Sequence, residues 1–246
     1  MRRPTAAPAL CLAALAPLLA AAAERLPTPP DLAAAGWQAG AWRGMPSARF
    51  GPLPLRLQAG GATVLPGVWL HAEPGEGGFV WRPLAGRPAC LSWRWRVEEG
   101  PPPTDLARRG GDDRAISISV GFDGWPPGAG VWVRTQHAAA QALAGDGVPL
   151  PRSVLTYVWG GSGREPGPFF ANPWLGGVGR VRVLRPAGAP RGVWVEERVD
   201  LAADWRRAFG GQDPPPLVKI TIGTDADDTR SRVRAAVEDL RLGPCR

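Results

Sequence analysis

Leu91, Trp93, Trp95 and Val97 alternate with Ser92, Arg94 and Arg96, and Ile116, Ile118, Val120 and Phe122 alternate with Ser117, Ser119 and Gly121. A period of two gives each segment one apolar and one polar face, as in a half-buried β-strand. Shorter runs of the same character occur at Leu53–Gln58, Val68–Ala72, Gly78–Arg82, Val154–Trp159, Val181–Leu184, Val193–Val199, Leu217–Ile222 and Ala235–Leu242, with Gly/Pro turns between them. Helical periodicity is scarce. Asp200 predicts the cap of a short helix that carries Leu201, Trp205 and Phe209 on one face and stops at Gly210. Residues 134–144 predict a helical insertion ending at Gly145, and Thr104–Arg109 a single helical turn. Many short strands and little helix predict an all-β fold, a two-sheet antiparallel, jelly-roll-like sandwich with one or two short helices.

The N-terminus breaks this pattern. Arg2 and Arg3 precede an apolar stretch, Ala9 to Leu19, interrupted by Pro17, and Ala21–Ala23 supplies small residues before Glu24. This is the build of an export signal over residues 1–23, and the apolar run is shorter than the roughly 20 residues of a membrane span. No later stretch reads as transmembrane. Residues 24–246 show no linker or composition break and predict a single β-sandwich domain, periplasmic or secreted. Removal of Cys11 leaves Cys90 and Cys245, an even pair in an oxidising compartment. Cys90 opens one predicted strand and Cys245 follows the last, so antiparallel pairing of those strands would bring the two together; the alternative is two buried thiols.

The net charge of +7 suggests a nucleic-acid partner until its makeup is considered: all but one of the 29 basic residues are Arg, in a chain with 33 Gly and 29 Pro. They are scattered, which reads as codon bias rather than a phosphate-binding face, and no nucleic-acid partner is expected.

The motifs LSWRWRV, TDLARRGGDDRA and VGFDG resemble those of the bacterial family known as domain of unknown function 3047. LTYVWG, NPW with VRVLRPAG, GVWVEERVDLAADWRRAFG, and ITIGTDADDT with AVEDLRL follow in the same order. The resemblance covers roughly residues 85–242 and implies an exported bacterial β-sandwich with no known activity. The chain departs from the pattern in an Ala- and Pro-enriched insertion at 125–152, and where AVEDL replaces an aromatic-Gly-Asp. The ending is similar to the Asp-bearing last strand of jelly-roll carbohydrate-binding modules, an analogy of fold.

Two features carry candidate chemistry. Asp112 and Asp113 precede one strand, and Asp225, Asp227 and Asp228 follow another. Loops at one end of a sandwich converge, and closely spaced carboxylates require a neutralising partner. One reading is a structural calcium ion on Asp112 or Asp113 with Asp225 and Asp227, aided by Asp228 or Asp239. The other is Asx-turns and pairing with Arg, most directly Arg114 and Arg230. The second feature is twelve Trp against one Tyr. Trp93, Trp95 and Trp205 read as core. Trp125 and Trp174 lie in Gly/Pro loops and Trp159 at a strand end, and these three are candidates for stacking on sugar rings.

Catalytic signals are thin. Only His71 and His137 are available as imidazole bases, neither beside a Ser or Cys motif. Gly160–Gly163 is not a nucleophile elbow, and Glu196 and Glu197, adjacent on a strand, point to opposite faces. The leading expectation is a non-catalytic, exported module that binds an envelope or environmental glycan. A calcium-supported polysaccharide hydrolase or lyase and a structural envelope protein without a small ligand are the alternatives. Oligomeric state is not encoded in any of these features.

Overall fold

The structure is a computed structural model and describes residues 23–42, 44–55, 62–144, 150–211 and 213–245. The predicted export signal lies outside the described residues except for Ala23, as do the end of the predicted Leu53–Gln58 strand and the Gly145 helix stop. The chain is all-β, a two-sheet sandwich. In order, the described elements are β1 (Ala23–Arg25), α1 (Pro30–Ala34), β2 (Gln38–Trp42), β3 (Arg49–Leu53), β4 (Thr63–Leu65), β5 (Gly67–Ala72), β6 (Gly77–Gly86), β7 (Cys90–Glu99) and β8 (Arg114–Phe122). They continue with α2 (Val131–Ala144), β9 (Ser153–Gly160), β10 (Phe170–Asn172), β11 (Gly176–Arg185), β12 (Val195–Asp200), α3 (Leu201–Phe209), β13 (Leu217–Asp225) and β14 (Val233–Gly243).

One sheet runs β1-β2-β6-β13-β8-β9-β11-β10; the other runs β12-β7-β14-β5-β3, with β4 also on β14. The inner faces follow the period-two pattern. Trp93, Trp95 and Val97 of β7 meet Ile116, Ile118 and Val120 of β8, Tyr157 and Trp159 of β9, and Ile220 and Ile222 of β13 in one buried cluster. Trp93 and Trp95 pack edge-on along β7 at 5.4 Å, and Trp95 on Trp159 at 5.6 Å and Trp93 on Tyr157 at 5.8 Å lock the two sheets together.

β14 pairs antiparallel with β7 and sets Gly243 opposite Cys90, so Cys245 lies within reach. The two cysteines are bridged, with their Cα atoms 5.0 Å apart. Asp200 caps α3 by accepting from the Ala203 N–H at 2.9 Å, and Gly210 ends it in the left-handed conformation with φ 75°. No helix among the described residues is long and apolar enough to cross a membrane.

The fold differs from expectation in several places. The strand expected at Leu53–Gln58 lies earlier, as β3 at Arg49–Leu53, and stops before Pro54, which has no N–H to pair. The pairing of β9 with β11 is parallel, because the chain leaves β9, forms the short edge strand β10 and returns in the same sense. Thr104–Arg109 forms turns rather than a helical turn. A helix also forms at Pro30–Ala34, where Pro30 needs no donor at the first position and Asp31 favours the positive helix start.

Candidate functional site

β8 and β13 are antiparallel neighbours, and Arg114 at the start of β8 faces Asp225 at the end of β13. The segment entering β8 therefore meets the segment leaving β13, and two sets of aspartates more than 100 residues apart share one corner. Asp113, fully buried, holds the corner together. Its carboxylate accepts from the backbone N–H groups of Asp228 at 3.3 Å and Thr229 at 2.7 Å, and from the Thr229 hydroxyl. The Thr104 hydroxyl donates to the Asp113 carbonyl at 3.0 Å, tying in the loop before it.

Arg114 is the guanidinium at the centre. Its Nη1 donates to the Asp112 carbonyl at 2.8 Å and lies 3.2 Å from Asp225 Oδ2 and 3.5 Å from Asp112 Oδ2. Among the described residues no donor reaches the buried Asp225 Oδ1. One carboxylate oxygen each from Asp113, Asp225 and Asp227 fall within 4.8 Å of one another, an arrangement that fits a hard cation. Burial pushes the Asp225 carboxyl well above the usual range, Arg114 opposes that, and Asp112 and Asp227 add to it. Asp228 is pushed up to about 6, first by lost hydration and then by Asp227, Asp113 and Asp112. The corner thus combines the two readings of the acidic loops: Arg114 pairs with Asp112 and Asp225, and carboxylate oxygens of Asp113, Asp225 and Asp227 converge beside it. Arg230, the other Arg considered, is a turn residue with φ 49°.

Asp239 does not belong to this group. It sits at an irregularity of the β14–β7 pairing with φ 57°, in the other sheet, and its carboxylate lies 3.7 Å from Arg94. The extra residue at the bulge removes it from the strand's alternation and turns it toward β7.

Trp174 extends the corner. Its indole N–H donates to Asp112 Oδ2 at 2.8 Å, its ring lies 4.7 Å from the Arg109 guanidinium, and Asn172 Oδ1 accepts from the Trp174 N–H at 2.9 Å. Arg109 is itself fixed by donating to the Pro173 carbonyl at 2.9 Å. Beside this group lies a recess of about 280 Å³ lined by Thr104, Asp105, Arg108, Arg109, Gly110, Gly111, Asp228 and Thr229. Arg109 and Thr229 carry no sequence signal of their own; their place follows from the loops' convergence.

The other two Trp candidates are elsewhere. Trp159 is 1 % exposed and packs on Trp95, so it offers no ring face to a ligand in solution. Its strand already shows why: Leu155, Tyr157 and Trp159 share the inward period. Trp125 follows the far end of β8, roughly 27 Å from the acidic corner at the usual strand rise. It packs edge-on against His137 of α2 at 4.9 Å, with the Arg134 guanidinium 5.7 Å from its ring. His137 Nε2 lies 3.0 and 3.1 Å from the carbonyls of Leu150 and Pro151, so the imidazole N–H anchors the insertion. Trp125 and Trp174 do not share a surface.

The family described as Protein of unknown function (DUF3047) matches residues 84–241, more than half of the chain. No curated protein matches the sequence. Among solved structures, the chain is similar to the xyloglucanase domain of NopAA, a type three effector from Sinorhizobium fredii, in complex with cellobiose. The likeness covers 85 % of this chain and 93 % of that one, with a TM-score of 0.41 and 8 % identity, a level at which it carries no argument about fold or ligand.

Proposed function

The chain belongs to the DUF3047 family, whose name brings no activity with it; from the geometry of its acidic corner, we propose that it is an exported, non-catalytic carbohydrate-binding module. The observation that carries the proposal is the fixed Trp174–Arg109–Asp112 group at the rim of a polar recess. An indole held by a carboxylate supplies an apolar surface at a set angle, while Arg108, Arg109 and Asp105 supply donors and acceptors for hydroxyls. Ordering these groups before binding lowers the cost of capturing a flexible glycan. Asp113, Asp225 and Asp227 are assigned a structural calcium ion that tethers the loops lining the recess.

A hydrolase or lyase is the second reading, favoured by one observation: Asp228, with its carboxyl up at about 6, lines the same recess as Asp105. Asp113 and Asp225 are too buried to reach a substrate. One experiment separates the readings. Purified protein is screened by affinity electrophoresis against soluble polysaccharides, and each retarding polymer is then incubated with it and assayed for shortened chains. Retardation without chain shortening, lost in Trp174→Ala, is expected. Shortening that disappears in Asp228→Asn replaces the binding module by the enzyme, and retardation by no polymer rejects both.

A further inference from the structure

The outer face of the six-stranded sheet carries two indoles that the corner does not use. In one row across the strands, Gly51 of β3 lies beside Trp69 of β5, which pairs with Ala236 of β14, which pairs with Arg96 of β7. Trp194, immediately before β12, completes the row, since Val195 pairs with Trp95. The Trp69 indole lies down against the sheet: a Cβ on Gly51 would come within 2.4 Å of its ring atoms, so only glycine leaves room for it. His71 leans on the same indole at 4.9 Å. At the other end, Arg94 and Arg96 rise from the same face of β7, and their guanidiniums lie 5.6 and 5.3 Å from the Trp194 ring. Both indoles remain half-buried rather than enclosed. Ala236 leaves a low floor between them, roughly 14 Å wide across three strand spacings.

The charges around this floor cancel within the face. Arg94 lies 3.3 Å from Glu238 and 3.7 Å from Asp239, Arg96 is paired with Glu98, Arg234 lies 3.4 Å from Glu99, and Arg49 and Arg232 share Glu73 at 3.7 and 3.0 Å. Burial, then Arg234 and Arg49, lower the His71 pKa, against the opposing pull of Glu98 and Glu73, which favours the uncharged ring. Two flat aromatic surfaces separated by a floor of fixed donors and acceptors without excess charge suit a polyhydroxyl chain. They do not suit a polyanion or an anionic membrane.

We infer that this face is a second contact surface for a neutral polysaccharide, with Trp69 and Trp194 as its two stacking positions and the Ala236 floor between them. The inference rests on the carbohydrate reading above and names the class of glycan and a second place where it lies.

The test is affinity electrophoresis in gels containing hydroxyethyl cellulose, galactomannan, dextran or polygalacturonate. The wild-type chain is compared with Trp69→Ala/Trp194→Ala, Ala236→Gln and Trp174→Ala. Retardation in at least one neutral polymer is expected, weakened about tenfold by the double variant, as for loss of interface anchors. Ala236→Gln, which fills the floor while leaving both indoles, is expected to weaken it as well and guards against a double variant that merely unfolds. Retardation that survives both changes but vanishes in Trp174→Ala overturns the second surface and leaves the carbohydrate reading standing. Stronger retardation in polygalacturonate overturns the neutral class, and retardation in no gel overturns both.

Discussion

Two buried aspartates show how differently one side chain is used in this molecule. Asp204, on α3, is 2 % exposed and fully matched. Its Oδ2 accepts from the Tyr157 hydroxyl at 3.0 Å and from Arg182 at 2.8 Å, and its Oδ1 lies 3.0 Å from the same guanidinium. Asp225, at the end of β13, is 7 % exposed and under-matched: Arg114 reaches one oxygen, no donor among the described residues reaches the other, and Asp112 and Asp227 press further carboxylates against it. A matched carboxylate is a closed structural joint. An under-matched one has capacity left, for a proton at low pH or for a cation. The difference separates a carboxylate whose partners the fold supplies in full from one whose partners it supplies only in part.

The largest expected effect breaks the closed side of that contrast. Asp204→Ala removes the acceptor of a buried Tyr157 hydroxyl and leaves Arg182 without its carboxylate, and should cost about 3–5 kcal/mol of stability. Urea denaturation measures it, and a loss under about 1 kcal/mol would show that Asp204 is not the joint described. Arg182 is partly exposed, which favours the lower end of that range.

The open side should respond to calcium rather than to substitution. A cation that binds only the folded chain adds about 2.7 kcal/mol at one hundred times its dissociation constant. Thermal unfolding in chelator and then in excess calcium should show a rise in midpoint for the wild type and none for Asp225→Asn. In chelator, Asp225→Asn should change stability by less than about 1 kcal/mol, because the amide keeps an acceptor for Arg114 and removes charge repulsion. If Asp225→Asn is as costly as Asp204→Ala, the two carboxylates are the same kind of joint and the cation site is lost with the contrast.

What the sequence discloses follows the range of the signal. β7 and β8 show regular alternation and are legible to within a residue or so, as is α3 with its Asp200 cap and Gly210 stop. The convergence of Asp112 and Asp113 with Asp225–Asp228 is also legible, because loops at one end of a sandwich must meet. The Asp204 joint is not, since Tyr157 and Arg182 lie 47 and 22 residues away in sequence. Asp239 escapes because a bulge interrupts alternation and leaves no mark in residue type. Trp159 is a case of two local signals in conflict. Its place at a strand end before Gly160 and Gly161 suggests an open position, but the inward period of Leu155 and Tyr157 decides its direction. Trp69 depends on a glycine one strand away, a relation visible only once β3 and β5 are paired.

The smallest effect sharpens the contrast through pH. Asp228 has a folded-state pKa of about 6 against an ordinary 3.8, so the folded chain holds its proton more tightly than the unfolded chain does. Its contribution to stability is therefore fully present below about 3.8 and is lost as pH rises through about 6. Asp225, also raised, acts with the same sign. Calcium reverses the trend, because it competes with those protons: the calcium-induced rise in melting midpoint should be larger at pH 7.5 than at pH 5. In chelator, Asp228→Asn should flatten part of the fall in midpoint between pH 5 and pH 7.5, and Asp225→Asn should flatten a further part. Asp204→Asn should leave the calcium response untouched at either pH. A calcium response equal at both pH values would mean that the ion, if bound at all, does not sit among these carboxylates.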